Sequence, residues 1–545
     1  MNKLKWSTPE QLRSLLCELV SWDSQTHTEG ERTFPIKLEE KLLELDYYQQ
    51  HPNYLSLHDV DHGRKFVSAF YKHPEATETI VLISHFDTVQ TEEYGDLQPL
   101  AFQPELLTKE LYKRRHDLKE DVRRDLESGE FLFGRGTMDM KMGLVLHMSL
   151  IEKAISEDWP INLVLITVPD EEVNSAGMRA AVEVLTSLRN QYGLTYKLFL
   201  NGEPSFTQKP GDLKYYIYSG SIGKIMPAAL FYGKETHVGE PLKGMTANYM
   251  ASYLTQLMEW NPLFRETDRG EDTPLPVSLQ QKDLKLQYST QTPYRTVALY
   301  NVFLMKRTAS DVMNLFEQVA KEAADKCNKD YQALCAREQI DAIGEVRVMR
   351  YQELLDYAKN KLGHEQVEQL IQEVLNNEEW DERDKSLKVA DHLMIRCKEL
   401  APSIILLFAP PYYPAVNSSD DTLVQETIEL MKTVSLEEFG VQVNQIHYFN
   451  GLSDLSYVNY QDEGEGWTAF EQNTPIWGNA YTIPFKEMAE LQAPVLNIGP
   501  FGLDAHQISE RLHITSAFVH TPVLLERVIK NMFQNEEEKL KLTTI

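Results

Sequence analysis

The sequence predicts an α/β fold, a mixed, mostly parallel sheet flanked by helices, with a smaller α+β domain inserted into it. Three observations predict it. Ile80-Val81-Leu82-Ile83 and Leu163-Val164-Leu165-Ile166 are continuous apolar runs rather than alternating ones, the pattern of strands covered on both faces. Residues 138–155 between them read as a helix, which gives the strand–helix–strand rhythm of an α/β core. Residues 215–350 have a different texture, strand-like runs alternating with two amphipathic helices.

The elements follow in order. Thr8 is placed to cap a first helix, Pro9 fits its first position and Gln11 completes a capping box. Leu12, Leu15, Leu16, Leu19 and Val20 then form one apolar face. Residues 105–130 are helical and highly charged, with Lys113-Arg114-Arg115 and Arg123-Arg124 interleaved with acids; a solvated surface helix is expected. Within 215–350, one helix carries Met250, Tyr253, Leu254, Leu257 and Met258, and another Val312, Leu315, Phe316, Val319, Ala320 and Ala323. Both stripes suit packing on a small sheet. Residues 403–408 and 494–498 look like further buried strands. The expected layout is a catalytic domain over 1–214 and 351–545 and an inserted lid over 215–350.

Composition bounds the function. The 545 residues are 42% apolar and 25% charged, ordinary for a globular chain. The net charge of −28 argues against nucleic acid and against anionic membranes as partners. It serves solubility or draws cationic substrates. Cys17, Cys327, Cys335 and Cys397 form no Cys-x-x-Cys pair and read as reduced thiols. The N-terminus has no apolar signal-peptide core, and no apolar run approaches the ~18 residues of a membrane span. The expected compartment is the cytoplasm.

Five segments can carry chemistry. Ser84-His85-Phe86-Asp87-Thr88 directly follows a buried strand, where α/β sheets form their sites. His85 and Asp87 are two apart and face the same way in extended backbone; a metal-bound His usually gives its other ring N–H to such a carboxylate. Taken alone, a His-x-Asp pair is most often incidental. In residues 134–143, two glycines precede Asp139, which suits either a ligand at a helix start or a plain N-cap. Asp170-Glu171-Glu172 follows the second strand; three adjacent carboxylates require either a solvated turn or a neutralising cation. Glu203 in Asn201-Gly202-Glu203-Pro204 again lies just past an apolar run, and His506 follows the turn Gly499-Pro500-Phe501-Gly502. Two imidazoles with several carboxylates suit zinc, or cobalt or manganese in its place.

These motifs resemble the zinc aminoacylase/carboxypeptidase family, which includes acetylornithine deacetylase, succinyl-diaminopimelate desuccinylase and glutamate carboxypeptidase. Residues 84–89, 134–143, 170–172, 202–205, 233–248 and 499–510 match in the family's order. The resemblance implies a zinc-exopeptidase-like catalytic domain holding two zinc ions. His85 and Glu203 would hold one, Glu172 and His506 the other, and Asp139 would bridge them. Glu171 would be the general base, and Asp87 would orient His85. His237, followed by Pro241, Gly244 and Asn248 at the family's spacing, would polarise the scissile carbonyl from the lid, often from a partner subunit of a homodimer. The implied reaction is hydrolysis of an amide bond in a small acyl-amino-acid or dipeptide-like substrate. Two departures concern the substrate: Phe303 in Asn301-Val302-Phe303, and Leu455-Ser456 after Gly451-Leu452-Ser453-Asp454, stand where many members present an Arg to a substrate carboxylate. The chain exceeds typical members, with extra sequence near 105–130 and 351–400, and its layout, including Pro410-Pro411-Tyr412-Tyr413-Pro414 and Phe449–Tyr457, is similar to the long arginine-utilisation proteins of bacilli, which implies arginine or ornithine breakdown. The alternatives are a non-catalytic binding or regulatory protein on the same fold, and a structural protein whose acids are solvated turns.

Overall fold

The computed structural model describes residues 4–543 apart from Pro210, Leu213, Leu286, Glu463 and Gly464, and the side chains of Glu465 and of residues 534–543 are left out of the description. The chain divides into two compact units. The first comprises Met1–Ser221, Val416–Tyr460 and Lys486–Ile545, and the second Ile222–Ala415 and Gln461–Phe485.

The first unit is built on an eight-stranded sheet. In spatial order its strands are Leu55–Asp59, Lys65–Tyr71, Asn162–Val168, Glu78–His85, Thr195–Asn201, Val495–Asn497, Tyr215–Tyr218 and Val443–Ile446. The strands that carry the apolar runs pair in parallel, Leu82 opposite Leu165 and Leu200, and Thr195–Asn201 pairs in parallel with Val495–Asn497. The strands Leu55–Asp59 and Lys65–Tyr71 join antiparallel at one edge, so the sheet is mixed. Every residue of Asn162–Val168 is buried, as expected for a strand covered on both faces. Helices Met142–Glu157 and Ala176–Tyr192 pack against it. The first helix, Pro9–Ser21, starts with the expected box: the Thr8 side chain accepts from Gln11 N–H, and the Gln11 side chain accepts from Thr8 N–H. A smaller four-stranded sheet sets Phe131–Phe133, Arg511–His513, Phe501–Leu503 and Ser205–Phe206 side by side.

The second unit holds a five-stranded sheet ordered Val277–Asp283, Arg295–Leu304, Gly223–Tyr232, Ser403–Tyr413, Arg347–Arg350. Helices Ala247–Met258 and Ala309–Glu338 lie on it with most of the expected stripes buried, Tyr253, Leu257 and Leu315 being half-buried. The unit is larger than the segment 215–350 read from the sequence. The run at 403–408 forms a strand of this sheet, where it pairs with Gly223–Tyr232, and helix Glu382–Arg396 packs on it. A continuous apolar run specifies burial on both faces but not which sheet supplies the neighbours. Among the described residues no helix is long and apolar enough to cross a membrane.

Candidate metal centre

The five expected ligands and Glu171 come together in the first unit at the carboxyl ends of its parallel strands. His85 is the last residue of Glu78–His85 and is 1% exposed. Its Nε2 lies 3.3 Å from Asp139 Oδ1, 3.3 Å from Glu203 Oε1 and 3.8 Å from Glu171 Oε2. His506 Nε2 lies 3.1 Å from the other oxygen of the same acid, Asp139 Oδ2, and 3.0 Å from Glu172 Oε2. Asp139 thus stands between two imidazoles, one per oxygen, and each imidazole has a glutamate of its own.

Local backbone explains each position. Asp139 is not a helix cap. Its φ and ψ are extended, within a turn over Thr137–Lys141, and the following helix begins only at Met142. The sequence pattern runs the helix four residues too early because Met138 and Met140 continue its apolar run and the whole turn is buried like the helix it feeds. The glycines nearby permit close backbone approach. A Cβ on Gly143 would lie 2.4 Å from Gly202 O, and one on Gly499 would lie 2.2 Å from Glu203 O. The Gly202–Glu203 segment is therefore held between two other chain segments. His506 sits with φ +63° in the loop joining Phe501–Leu503 to Arg511–His513.

Asp87 does more than the sequence suggested. Its Oδ1 is 3.5 Å from His85 Nδ1, which is closer, at 3.0 Å, to the Asp87 carbonyl oxygen. The same carboxylate accepts from the backbone N–H groups of Glu171 and Glu172 at 3.1 and 3.3 Å and from Thr26 Oγ1 at 2.8 Å. It fixes the turn that bears both glutamates. Of the three successive acids, Asp170 points away from the other two. It is buried and accepts from Arg64 Nη1 at 2.5 Å and Ala176 N–H at 3.1 Å, with His27 Nε2 at 3.1 Å. The acid run is therefore neither wholly solvated nor wholly directed at a cation: one member is neutralised by an arginine inside the fold.

Electrostatics mark the centre. Burial pushes Glu171 well above the usual carboxylate range, with Glu203, Asp454 and Glu172 adding to the effect. Burial likewise takes Glu203 up to about 7 and raises Glu172. Burial disfavours charge on both imidazoles, yet the surrounding acids outweigh it: His85 is held well above its ordinary value and His506 is pushed up to about 11. Burial also acts against ionised Asp139, but hydrogen bonds from His506 and His85 hold its carboxyl low. Ionising all four carboxylates here needs more positive charge than two imidazoles supply, and a divalent cation is the group that fits such a donor set. His85, Glu171 and Glu203 each offer an atom within 4.8 Å of the others, and so do His85, Asp139 and Glu172.

His237 belongs to the second unit. It is exposed, forms a bridge with Gln291, and its Nδ1 accepts from Gly239 N–H at 3.0 Å. Two residues near the centre escaped the sequence reading. Arg64 is 106 positions from Asp170, the motif residue it serves, and carries no local signal. Asp454 closes the segment Gly451-Leu452-Ser453-Asp454, whose sequence signal is the arginine missing after it. It is 2% exposed, and burial pushes it up to about 7 within the field of His85, Asp87 and Glu203.

The chain is similar in sequence and fold to known proteins. The sequence profile described as peptidase family M20/M25/M40 matches residues 81–531. The uncharacterized protein YqjN of Bacillus subtilis is 40% identical over 542 residues, covering 98% of each chain. Protein RocB of the same organism is 30% identical over 543 residues, covering 96% of this chain and 95% of that one. The fold is similar to that of the M20 family metallo-carboxypeptidase Sso-CP2 of Sulfolobus solfataricus, with a TM-score of 0.54 at 12% identity over 95% of this chain and 98% of the other. The matched span opens within the strand that ends at His85 and closes beyond the His506 loop, and so takes in the whole cluster: the chain belongs to peptidase family M20/M25/M40.

Proposed function

We propose that the chain is a two-metal hydrolase that cleaves an amide bond in a small acylated amino acid or dipeptide-like compound. One observation carries this reading: the two oxygens of Asp139 face different imidazoles, each with its own glutamate. His85 and Glu203 would hold one ion, His506 and Glu172 the other, and Asp139 would bridge them. Zinc suits this mixture of imidazole and carboxylate, and cobalt or manganese can replace it. Ions held there supply Lewis acidity to the substrate carbonyl and make water a usable nucleophile near neutral pH.

The protein's own groups divide the remaining work. Glu171 lies beside His85 without being one of the five proposed ligands, and its buried carboxylate is a strong enough base to take a proton from the attacking water. It then returns that proton to the leaving nitrogen. Asp87 holds the backbone of Glu171 and Glu172, so base and ligand keep a fixed separation. His237, on the second unit, would donate to the carbonyl oxygen as negative charge develops there. Phe303 and Leu455-Ser456 offer no guanidinium, so a substrate carboxylate is not gripped from these positions. The layout shared with arginine-utilisation proteins of bacilli points towards arginine or ornithine breakdown, and homodimerisation through the second unit accompanies the reading.

The test is metal content together with hydrolysis of a panel of acyl-amino acids and dipeptides, for wild type and Glu171→Gln. Two ions in both proteins, with turnover in the wild type alone, is expected. Equal substrate loss with both proteins would refute the role of Glu171. Two bound ions with no turnover of any substrate would favour a binding protein on this fold.

A further inference from the structure

The charged insert near residues 105–130 carries one acid that is not solvated. Asp125, in helix Glu120–Ser128, is 8% exposed. Its Oδ2 accepts from Nε and Nη2 of Arg511 at 3.0 and 2.9 Å. Arg511 is itself buried, and its remaining nitrogen, Nη1, donates to the Asp504 carboxylate and to Ser509 O at 3.1 Å. Ser509 Oγ donates to the same Asp504 oxygen at 2.7 Å. Both Asp504 and His506 adopt left-handed backbone, with φ of +59° and +63°, a conformation that non-glycine residues hold only when their surroundings impose it. Arg511 pairs with Leu503 on one side and Phe133 on the other, and Phe133 lies in the strand that follows the insert. The loop bearing His506 is thus braced by a guanidinium whose far side is anchored in the insert.

We propose that Asp125 and Arg511 are positioning residues that hold the His506 loop in its left-handed form, and so set the affinity of the ion shared by His506 and Glu172. The inference rests on the proposed assignment of His506 as a ligand. Without Asp125, Nε and Nη2 of Arg511 lose their acceptor in a buried setting, and the guanidinium turns to find another. That motion takes Nη1 from Asp504, and the loop relaxes away from Asp139. The half of the centre formed by His85 and Glu203 has no part in this bracing and keeps its ion.

Cobalt(II) titration of metal-free full-length protein tests it, followed by visible absorption and by competition with a chromophoric chelator. Wild type takes two equivalents in two steps. His506→Ala identifies the step belonging to its half. Asp125→Ala weakens that same step about tenfold or more, the scale on which outer partners of metal ligands act, and leaves the other step and its spectrum unchanged. Asp125→Asn, which retains one acceptor oxygen, falls between; if the alanine variant does not fold, this variant and Arg511→Lys are read the same way. Wild-type affinities at both steps overturn the proposal. So does equal weakening of both steps with a matching fall in thermal midpoint, which marks general loosening. If His506→Ala still takes two equivalents as the wild type does, the ligand assignment fails and this inference with it; if only the Asp125 and Arg511 variants behave as wild type, the assignment stands and the inference alone fails.

Discussion

Replacing Arg64 with Met leaves a buried anion with too few partners, and its consequence can be worked from the surroundings. Arg64 is 5% exposed and meets Asp170 at 2.5 Å, with Asp61 on its outer face. Glu31 lies 3.6 Å from the same guanidinium nitrogen, but burial, with Asp87 adding, takes it up to about 8, so it is largely protonated at neutral pH. Asp170 is the reverse case: burial opposes its charge, yet His27 and Arg64 keep its carboxyl below the usual range. Removing Arg64 therefore strands Asp170, with only His27 and backbone N–H groups left to it. Breaking a buried pair from one side costs about 3–5 kcal/mol. In a unit of this size 1 kcal/mol moves the midpoint by ~1.5 °C, so Tm should fall by ~4–8 °C. Arg64→Met/Asp170→Asn should recover much of the loss, because the stranded charge is gone. The sign with pH follows from the depressed carboxyl: the wild type's gain is present above the unfolded pKa and is lost as pH falls through the folded one. The gap between wild type and Arg64→Met thus narrows on acidification. Calorimetry of metal-free protein at pH 7 and at pH 3, below the ordinary carboxyl value of ~3.9, reads both effects. A single variant within about 1 °C of wild type, or a double variant no better than the single, would refute the reasoning.

Three further outcomes follow from the centre itself. Asp139→Asn replaces one facing oxygen by an NH₂ group, and retention of both ions is expected to weaken on the order of 100-fold or more; two tightly held ions by mass spectrometry after dialysis would contradict the bridging role. Metal uptake near neutral pH should release protons, because His85 and His506 are held protonated by their acids while ligation requires neutral imidazole. Affinity should accordingly rise with pH, and a titration in indicator dye without buffer that shows no proton release would exclude both histidines as ligands. Gly143→Ala forces a methyl to 2.4 Å from Gly202 O, a backbone clash that costs about 1–3 kcal/mol; unchanged Tm and metal content would show that the two segments part freely.

The strands were legible because burial on both faces leaves a continuous apolar run, and the ligand segments because each follows such a run or a glycine turn. What remained hidden depends on partners distant in the chain. Arg511 and Asp125 are separated by 386 positions, and 105–130 reads as solvated because most of its charges are. Nothing local distinguishes Asp125 from its neighbours. Arg64 likewise explains Asp170 only once the Lys65–Tyr71 strand lies beside the strand ending at Val168. Asp139 is legible as a ligand but not as extended backbone, since Met138 and Met140 continue the apolar run of the helix that begins at Met142. The run at 403–408 was read as a strand but given to the wrong unit, because sheet membership is decided by neighbours that no single run encodes.

The peptide between Gly202 and Glu203 touches Gly143 on one side and Gly499 on the other. Main chain there rests directly on main chain, with no side chain as spacer. Distances between ligand-bearing segments are consequently calibrated by atoms common to every amino acid, not by the sizes of core residues. The surrounding hydrophobic side chains can then be exchanged and repacked over evolutionary time while the gauge of the centre stays constant. Tolerance to mutation should be sharply uneven: broad among the leucines and valines of the sheet, and close to nil at these three glycines. A scan of substitutions scored by metal retention would see them as one unit, although they are spread across most of the chain.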